Sequence, residues 1–132
     1  MKVMITGHTP ARVGDNTEKI LNWIKKWLRE LKPTAAITGM SKGVDTLFWG
    51  VAHLREIPIY CYLTTGKVEP HIATGSDRIY VVHDVDVRDR AMVDAADCVL
   101  AVWDGFQQGG TWETIKYARE QGKNIIYLMI GE

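Results

Sequence analysis

The stretch CVLAVWDGFQQGGTWET, residues 98–114, decides the fold. It starts with a continuous apolar run, Cys98 to Val102, the pattern of a strand buried on both faces. Asp104 stands just past that run. Gly109 and Gly110 then lead into Thr111, which the spacing predicts as the cap of a helix running to Gln121. Gly122 follows as a natural C′ residue. Two more turns of this kind come earlier in the chain, TGHTPARVG at 6–14 and TGMSKGVD at 38–45. Each sits between an apolar run and a helical pattern. A parallel α/β sheet puts all its strand-to-helix turns on one edge. The three turns are therefore expected to converge on one crevice lined by backbone N–H groups and helix N-termini, a geometry that binds phosphate.

Working outward, residues 2–6 read as a short buried strand. Asp15 and Glu18 form a D-x-x-E capping pattern. Ile20, Leu21, Ile24, Trp27, Leu28 and Leu31 recur at helical spacing over 15–31, and Pro33 stops that helix. Residues 34–38 read as a second strand, 43–56 as a helix, and 59–63 as a third strand. This β-α-β-α-β order predicts right-handed crossovers and a parallel sheet. The segment 64–78 shows no period and is expected to be a long loop of the lid or binding kind. Residues 79–82 form a short strand, 86–96 a helix with Asp86 as its cap and Met92 and Ala95 facing inward, and 124–130 the last strand. The expected architecture is α/β, with a mostly parallel sheet of five to six strands, in a single domain spanning 1–132.

Composition narrows the function classes. Sixteen Lys and Arg balance sixteen Asp and Glu, so no bulk positive field argues for nucleic acid or an anionic membrane. Cys61 and Cys98 lie within apolar runs and read as reduced core residues. Met1 leads straight into a strand, and no apolar stretch reaches bilayer length, so a cytoplasmic protein without membrane contact is expected. The four histidines show no ligand spacing, so no metal site and no cofactor are expected. The G-x-x-x-x-G-K-[ST] spacing is missing, which rejects a Walker-type nucleotidase.

The candidate binding residues follow from the turns. Gly7 lets a ligand approach the backbone, and His8 offers a polar group at the crevice mouth, with Arg12 in the same loop. Gly39 and Gly43 bracket Ser41 and Lys42, a hydroxyl and a point charge at a helix start, and Asp45 stands in the first turn beyond. Gly109, Gly110 and Thr111 are the third phosphate-type turn. Asp104 either accepts from a sugar or base or forms a turn of its own, and Glu113 either complements the helix dipole or faces a sugar. Trp112 offers a ring for stacking, against simple burial. Arg88 and Arg90 do not share a helical face, so at most one points at the crevice, while Asp89 and Asp94 read as solvated or paired with neighbouring arginines.

Taken together, these residues resemble the SLOG superfamily of Rossmann-like domains. That group includes YpsA-like proteins, the DNA-processing protein A core and the Lonely Guy phosphoribohydrolases. The YpsA-like branch is the nearest in pattern. Its T-G-H-R-P is matched by Thr6 to Pro10, with Thr9 in place of Arg. Its G-x-x-x-G-V-D is matched by Gly39 to Asp45 and its R-x-R-x-M-V-D-x-A-D style segment by Arg88 to Asp97. Its D-G-x-x-G-G-T-x-x-T-x-x-Y-A is matched, with one extra residue, by Asp104 to Ala118. The resemblance implies a Rossmann-like three-layer sandwich, a nucleotide-like ligand and a homodimer. Hydrolase members of the group carry P-G-G-x-G-T-x-x-E. Here Thr114 stands at the final position and the carboxylate is one residue earlier, at Glu113, rotated by about 100° on a helix.

The expected function is binding of a nucleotide or nucleotide-derived ligand at the glycine turns. The alternative is an N-glycosidase acting on nucleoside 5′-monophosphates, with Glu113 or Asp104 stabilising the sugar cation or activating water. A single-stranded DNA-binding module is the second alternative, which the zero net charge disfavours.

Overall fold

A computed structural model describes residues 1–7, 16–39, 43–64 and 76–130. In chain order the elements are β1 (Lys2–Thr6), α1 (Thr17–Leu31), β2 (Ala35–Thr38), α2 (Val44–Leu54), β3 (Ile59–Thr64), β4 (Arg78–Val82), α3 (Val85–Ala95), β5 (Cys98–Trp103), α4 (Gly110–Glu120) and β6 (Asn124–Met129). The six strands form one sheet in the order β4-β3-β2-β1-β5-β6, and every pairing is parallel. The fold is thus the expected α/β Rossmann-like one.

The period of two along the central strands sorts their side chains into two cores. Val3 and Ile5 of β1 and Leu100 and Val102 of β5 meet Ile20, Ile24 and Leu28 of α1 and Val44, Phe48 and Val51 of α2. Met4 of β1 and Val99 of β5 point the other way, onto Met92 and Val93 of α3 and Ala118 of α4. Both faces of β1 and β5 are covered, which explains why their sequences are apolar throughout rather than alternating.

Aspartates pin the start of two strand pairs. Asp97 accepts from the Lys2 N–H at 2.8 Å and donates its own N–H to Lys2 O at 2.8 Å. Asp77 does the same with Ile59, at 2.8 and 2.9 Å. These reciprocal pairs hold β5 against β1 and β4 against β3, so that the carboxyl ends emerge in fixed register.

Helix starts differ from expectation at three places. The α3 cap is Asp84, whose Oδ1 accepts from the Val87 N–H at 2.9 Å, and Asp86 lies inside the first turn. The α4 cap is Gly109 and not Thr111, because the chain enters the helix through φ +90°, a conformation glycine adopts without strain. Thr111 is one residue into the helix, its side chain turned inward. The α1 cap is Asn16, with no side-chain cap bond, and Asp15 of the expected capping pair lies outside the described residues. The expected loop is likewise outside them over 65–75. No helix among the described residues is long and apolar enough to cross a membrane.

Candidate functional site at the β1–β5 switch point

The chain leaves β1 toward β2 on one side, while β5 pairs with β1 on the other. Connections diverge there, and in open α/β sheets a crevice forms at the carboxyl ends of such strands. A cavity of about 290 Å³ occupies that place. Thr6 and Gly7 form its floor, Asp45 of α2 one wall, Arg88 and Asp89 of α3 another, and Gly109, Gly110, Thr111 and Thr114 of α4 the third.

Each wall has a local cause. A Cβ at Gly7 would lie 2.7 Å from Val44 Cγ2, so α2 can sit on the end of β1 only over bare backbone. This packing demand exists with or without a ligand. At α4 the first helical bond runs from the Glu113 N–H to Gly109 O at 3.0 Å. The N–H groups of Gly110, Thr111 and Trp112 precede it, and the cap residue, being glycine, has no side chain to satisfy them. A Cβ at Gly110 would meet nothing within 4 Å, so the space above this helix start is open.

Arg88 and Asp89 supply the charge. The guanidinium donates from Nε and Nη2 to Asp89 Oδ1 at 3.1 and 3.0 Å, and from Nη1 to Gly39 O at 3.0 Å. Both side chains are largely enclosed, 11% and 20% exposed. A guanidinium has five N–H groups, and only these three have acceptors among the described residues. Burial pushes the Asp89 carboxyl above the ordinary aspartate range, against the pull of the Arg88 charge and hydrogen bonds and of the neighbouring Thr114 hydroxyl. The Thr114 hydroxyl itself donates to Gly110 O at 3.0 Å. One network therefore joins α3 to the start of α4.

The structure brings Gly7, Asp45, Arg88, Gly109, Gly110 and Thr111 to this crevice. Gly39 is beneath Arg88, and Gly43 is the N-cap of α2. His8, Arg12, Ser41 and Lys42 lie outside the described residues. Four other candidates go elsewhere. Arg90 and Glu113 line an outer cleft between α3 and α4 that adjoins the crevice across Asp89 and Thr114; there Glu113 pairs with Lys116 at 3.4 Å and Arg90 lies 5.8 Å from the Tyr117 ring centroid. Asp104 accepts from the Phe106 N–H at 3.0 Å, forming an Asx turn, and is not among the crevice residues. Trp112 stacks on Trp103, with ring centroids 5.5 Å apart and planes 11° from parallel, and Arg119 lies 5.5 Å from it.

Asp89 and Thr114 are the crevice residues that sequence reasoning missed. The signal was present for Asp89. It precedes the buried Met92 and Val93 by three and four residues, which puts it on the inward stripe of α3. Asp94, by contrast, accepts from the Tyr117 hydroxyl at 2.8 Å at the exposed end of the helix pair. Among the described residues no group of three or more His, Cys, Asp and Glu is placed to hold a metal ion.

No family model matches the chain. No curated protein matches it either. Solved structures do. The molybdenum cofactor binding protein from the phototrophic bacterium Rippkaea orientalis superposes with a TM-score of 0.75 at 18% identity, over 98% of this chain and 77% of its own. The molybdenum cofactor carrier protein from Chlamydomonas reinhardtii gives 0.73 at 20%, over 96% and 74%. DNA processing protein A from Helicobacter pylori, whose structure describes a single-stranded DNA binding mode, gives 0.73 at 15%, over 99% and 66%. These are Rossmann-like folds, and the chain has that fold. At such identities the likeness reaches the fold and stops there.

Proposed function

We propose that this domain binds a phosphorylated, nucleotide-like ligand in the β1–β5 crevice. The observation that carries the reading is the α4 start. This helix start has no side-chain cap bond, and its residues Gly109, Gly110 and Thr111 line a cavity that Arg88 also borders. A phosphate there would take hydrogen bonds from the Gly110 and Thr111 N–H groups at the favourable end of the helix dipole, and from the two N–H groups of Arg88 that have no acceptor among the described residues. Asp45 and Asp89 on the facing walls suit sugar hydroxyls or base amino groups. The neighbours fit this reading, since two are described as binding or carrying a molybdenum cofactor.

The test is a thermal-shift and calorimetric titration with nucleoside mono-, di- and triphosphates, NAD, ADP-ribose and a single-stranded oligonucleotide. A ligand of the folded state alone raises the melting temperature by mass action. Gly110→Asp puts a carboxylate in the phosphate position. Binding is expected to fall at least tenfold with the fold intact, and unchanged binding would move the site elsewhere.

A hydrolytic reading rests on different carboxylates from those the sequence suggested. Glu113 is paired outside the crevice and Asp104 is held in its own turn, so Asp45 and Asp89 are the acids within reach of a bound sugar. Release of free base from a nucleoside monophosphate, abolished in Asp89→Asn, would establish it. A YpsA-like cytoplasmic homodimer belongs to the same proposal. Among the described residues the edge strands β4 and β6 each leave one side of the sheet unpaired, and light scattering reads the assembly directly.

A further inference from the structure

Two buried threonine hydroxyls at the carboxyl edge of the sheet, Thr38 Oγ1 and Thr64 Oγ1, have no hydrogen-bond partner among the described residues. Buried polar groups are nearly always satisfied, and each exception asks for an explanation. The two point in opposite directions. Thr38 follows Ala36 by two residues and shares its face, toward α1 and α2. Thr64 follows Tyr62 by two and shares its face, toward α3, the face on which Thr6 and Arg88 border the crevice.

The register gives Thr64 a definite place. β1 pairs Met4 with Ile37, and β2 pairs Ile37 with Tyr60. Continued by two residues, Thr6, Gly39 and Tyr62 form one level across the three strands. Arg88 lies over Gly39, in the middle of that row. Thr64 stands two residues beyond Tyr62, about 7 Å further toward the edge. β1 and β3 are two strand spacings apart, roughly 10 Å. A phosphate–ribose–base unit spans a distance of that order.

From this we infer that the crevice continues past Arg88 to a second subsite at Thr64, which takes the neutral polar edge of the ligand's heterocyclic base. This rests on the phosphate site proposed at α4 and adds the ligand's direction: phosphate over β1–β5, sugar beside Arg88, base toward β3. Thr64 is 5% exposed, and its hydroxyl can both donate and accept, as a base edge requires.

The experiment compares wild type, Thr64→Val and Thr64→Ser by calorimetry with the four ribonucleoside 5′-monophosphates, ribose 5-phosphate and inorganic phosphate. Thr64→Val should weaken the preferred nucleoside monophosphate roughly fivefold to tenfold, the value of one neutral hydrogen bond. It should leave ribose 5-phosphate and inorganic phosphate unchanged, and Thr64→Ser should restore the nucleotide. The melting temperature of ligand-free Thr64→Val should hold or rise, because valine removes an unpaired polar group at the same volume. A lowered melting temperature with unchanged nucleotide affinity would show that the hydroxyl is satisfied within the protein, and would overturn the subsite. Equal weakening of all the ligands would overturn it too, as a general disturbance. If wild type binds none of them, the phosphate site itself fails and the subsite with it. If wild type binds and Gly110→Asp abolishes it while Thr64→Val does nothing, only the subsite fails.

Discussion

Arg88 and Arg90 stand two residues apart on α3 and live in different environments. Arg88 is 11% exposed, bonded to Asp89 and to the Gly39 carbonyl, and borders the switch-point crevice. Arg90 lies over the Tyr117 ring in the outer cleft, among Asp86, Glu113, Lys116 and Glu120. The difference is one of helical phase. Two residues turn the helix by about 200°, so one guanidinium is carried to the sheet edge and the other toward solvent. An arginine enclosed with a carboxylate is part of the framework as well as of the site, whereas a solvated arginine contributes little to either.

The largest expected effect breaks the enclosed pair. Arg88→Met should cost about 3 kcal/mol in urea unfolding, because Asp89 is left enclosed without its cation. Phosphate-ligand binding should be lost with it. A cost below about 1 kcal/mol would show that water reaches Asp89 freely and that the two regions differ less than their exposures suggest. Next is a contrast between a glycine in the floor of the crevice and one in its α4 wall. Gly7→Ala should destabilise by about 2 kcal/mol, since its Cβ would overlap Val44. Gly110→Ala should be neutral or stabilise by about 0.5 kcal/mol, since it enters open space with an ordinary helical φ. Equal costs would contradict the packing of α2 on the end of β1.

A smaller effect follows from the Asp89 carboxyl. Its pKa is raised in the folded protein, chiefly by burial, so in the window between the ordinary aspartate value and the raised one the folded state holds more protons than the unfolded state. Unfolding free energy should therefore rise as pH falls through that window and level off below the unfolded value. Asp89→Asn should flatten that part of the stability curve, and an unchanged slope would assign the acid behaviour to other groups. The smallest change is expected at Arg90→Ala, within about 0.5 kcal/mol and without effect on phosphate binding. A loss comparable to that of Arg88→Met would erase the distinction between the two arginines.

Much of the architecture was legible along the chain because it is written in local pattern. The stripe Ile20, Ile24, Leu28 announces α1, the uninterrupted Cys98–Val102 run announces a strand covered on both faces, and Gly122 sits at φ +69° just after α4 ends. Helix starts were less legible. A cap is chosen by backbone geometry as well as side-chain chemistry, so Asp84 and Gly109 took the places expected of Asp86 and Thr111. The candidate site was legible as a set of turns but not as a set of side chains. Glu113 and Thr114 are adjacent in sequence, and which of them faces the crevice depends on how α4 is rotated against the sheet.

By itself the sequence determined the strand–helix alternation, the parallel sheet and the convergence of glycine turns on one edge. Periodicity, turn chemistry and the handedness of crossovers act over a few residues at a time. Only the tertiary structure decided that β5 lies beside β1, that Asp89 is enclosed with Arg88, that Gly7 is demanded by Val44, and that the Thr64 hydroxyl is buried without a partner among the described residues. Each of these depends on groups distant in the chain excluding water from one another, and that exclusion exists only once the layers have packed.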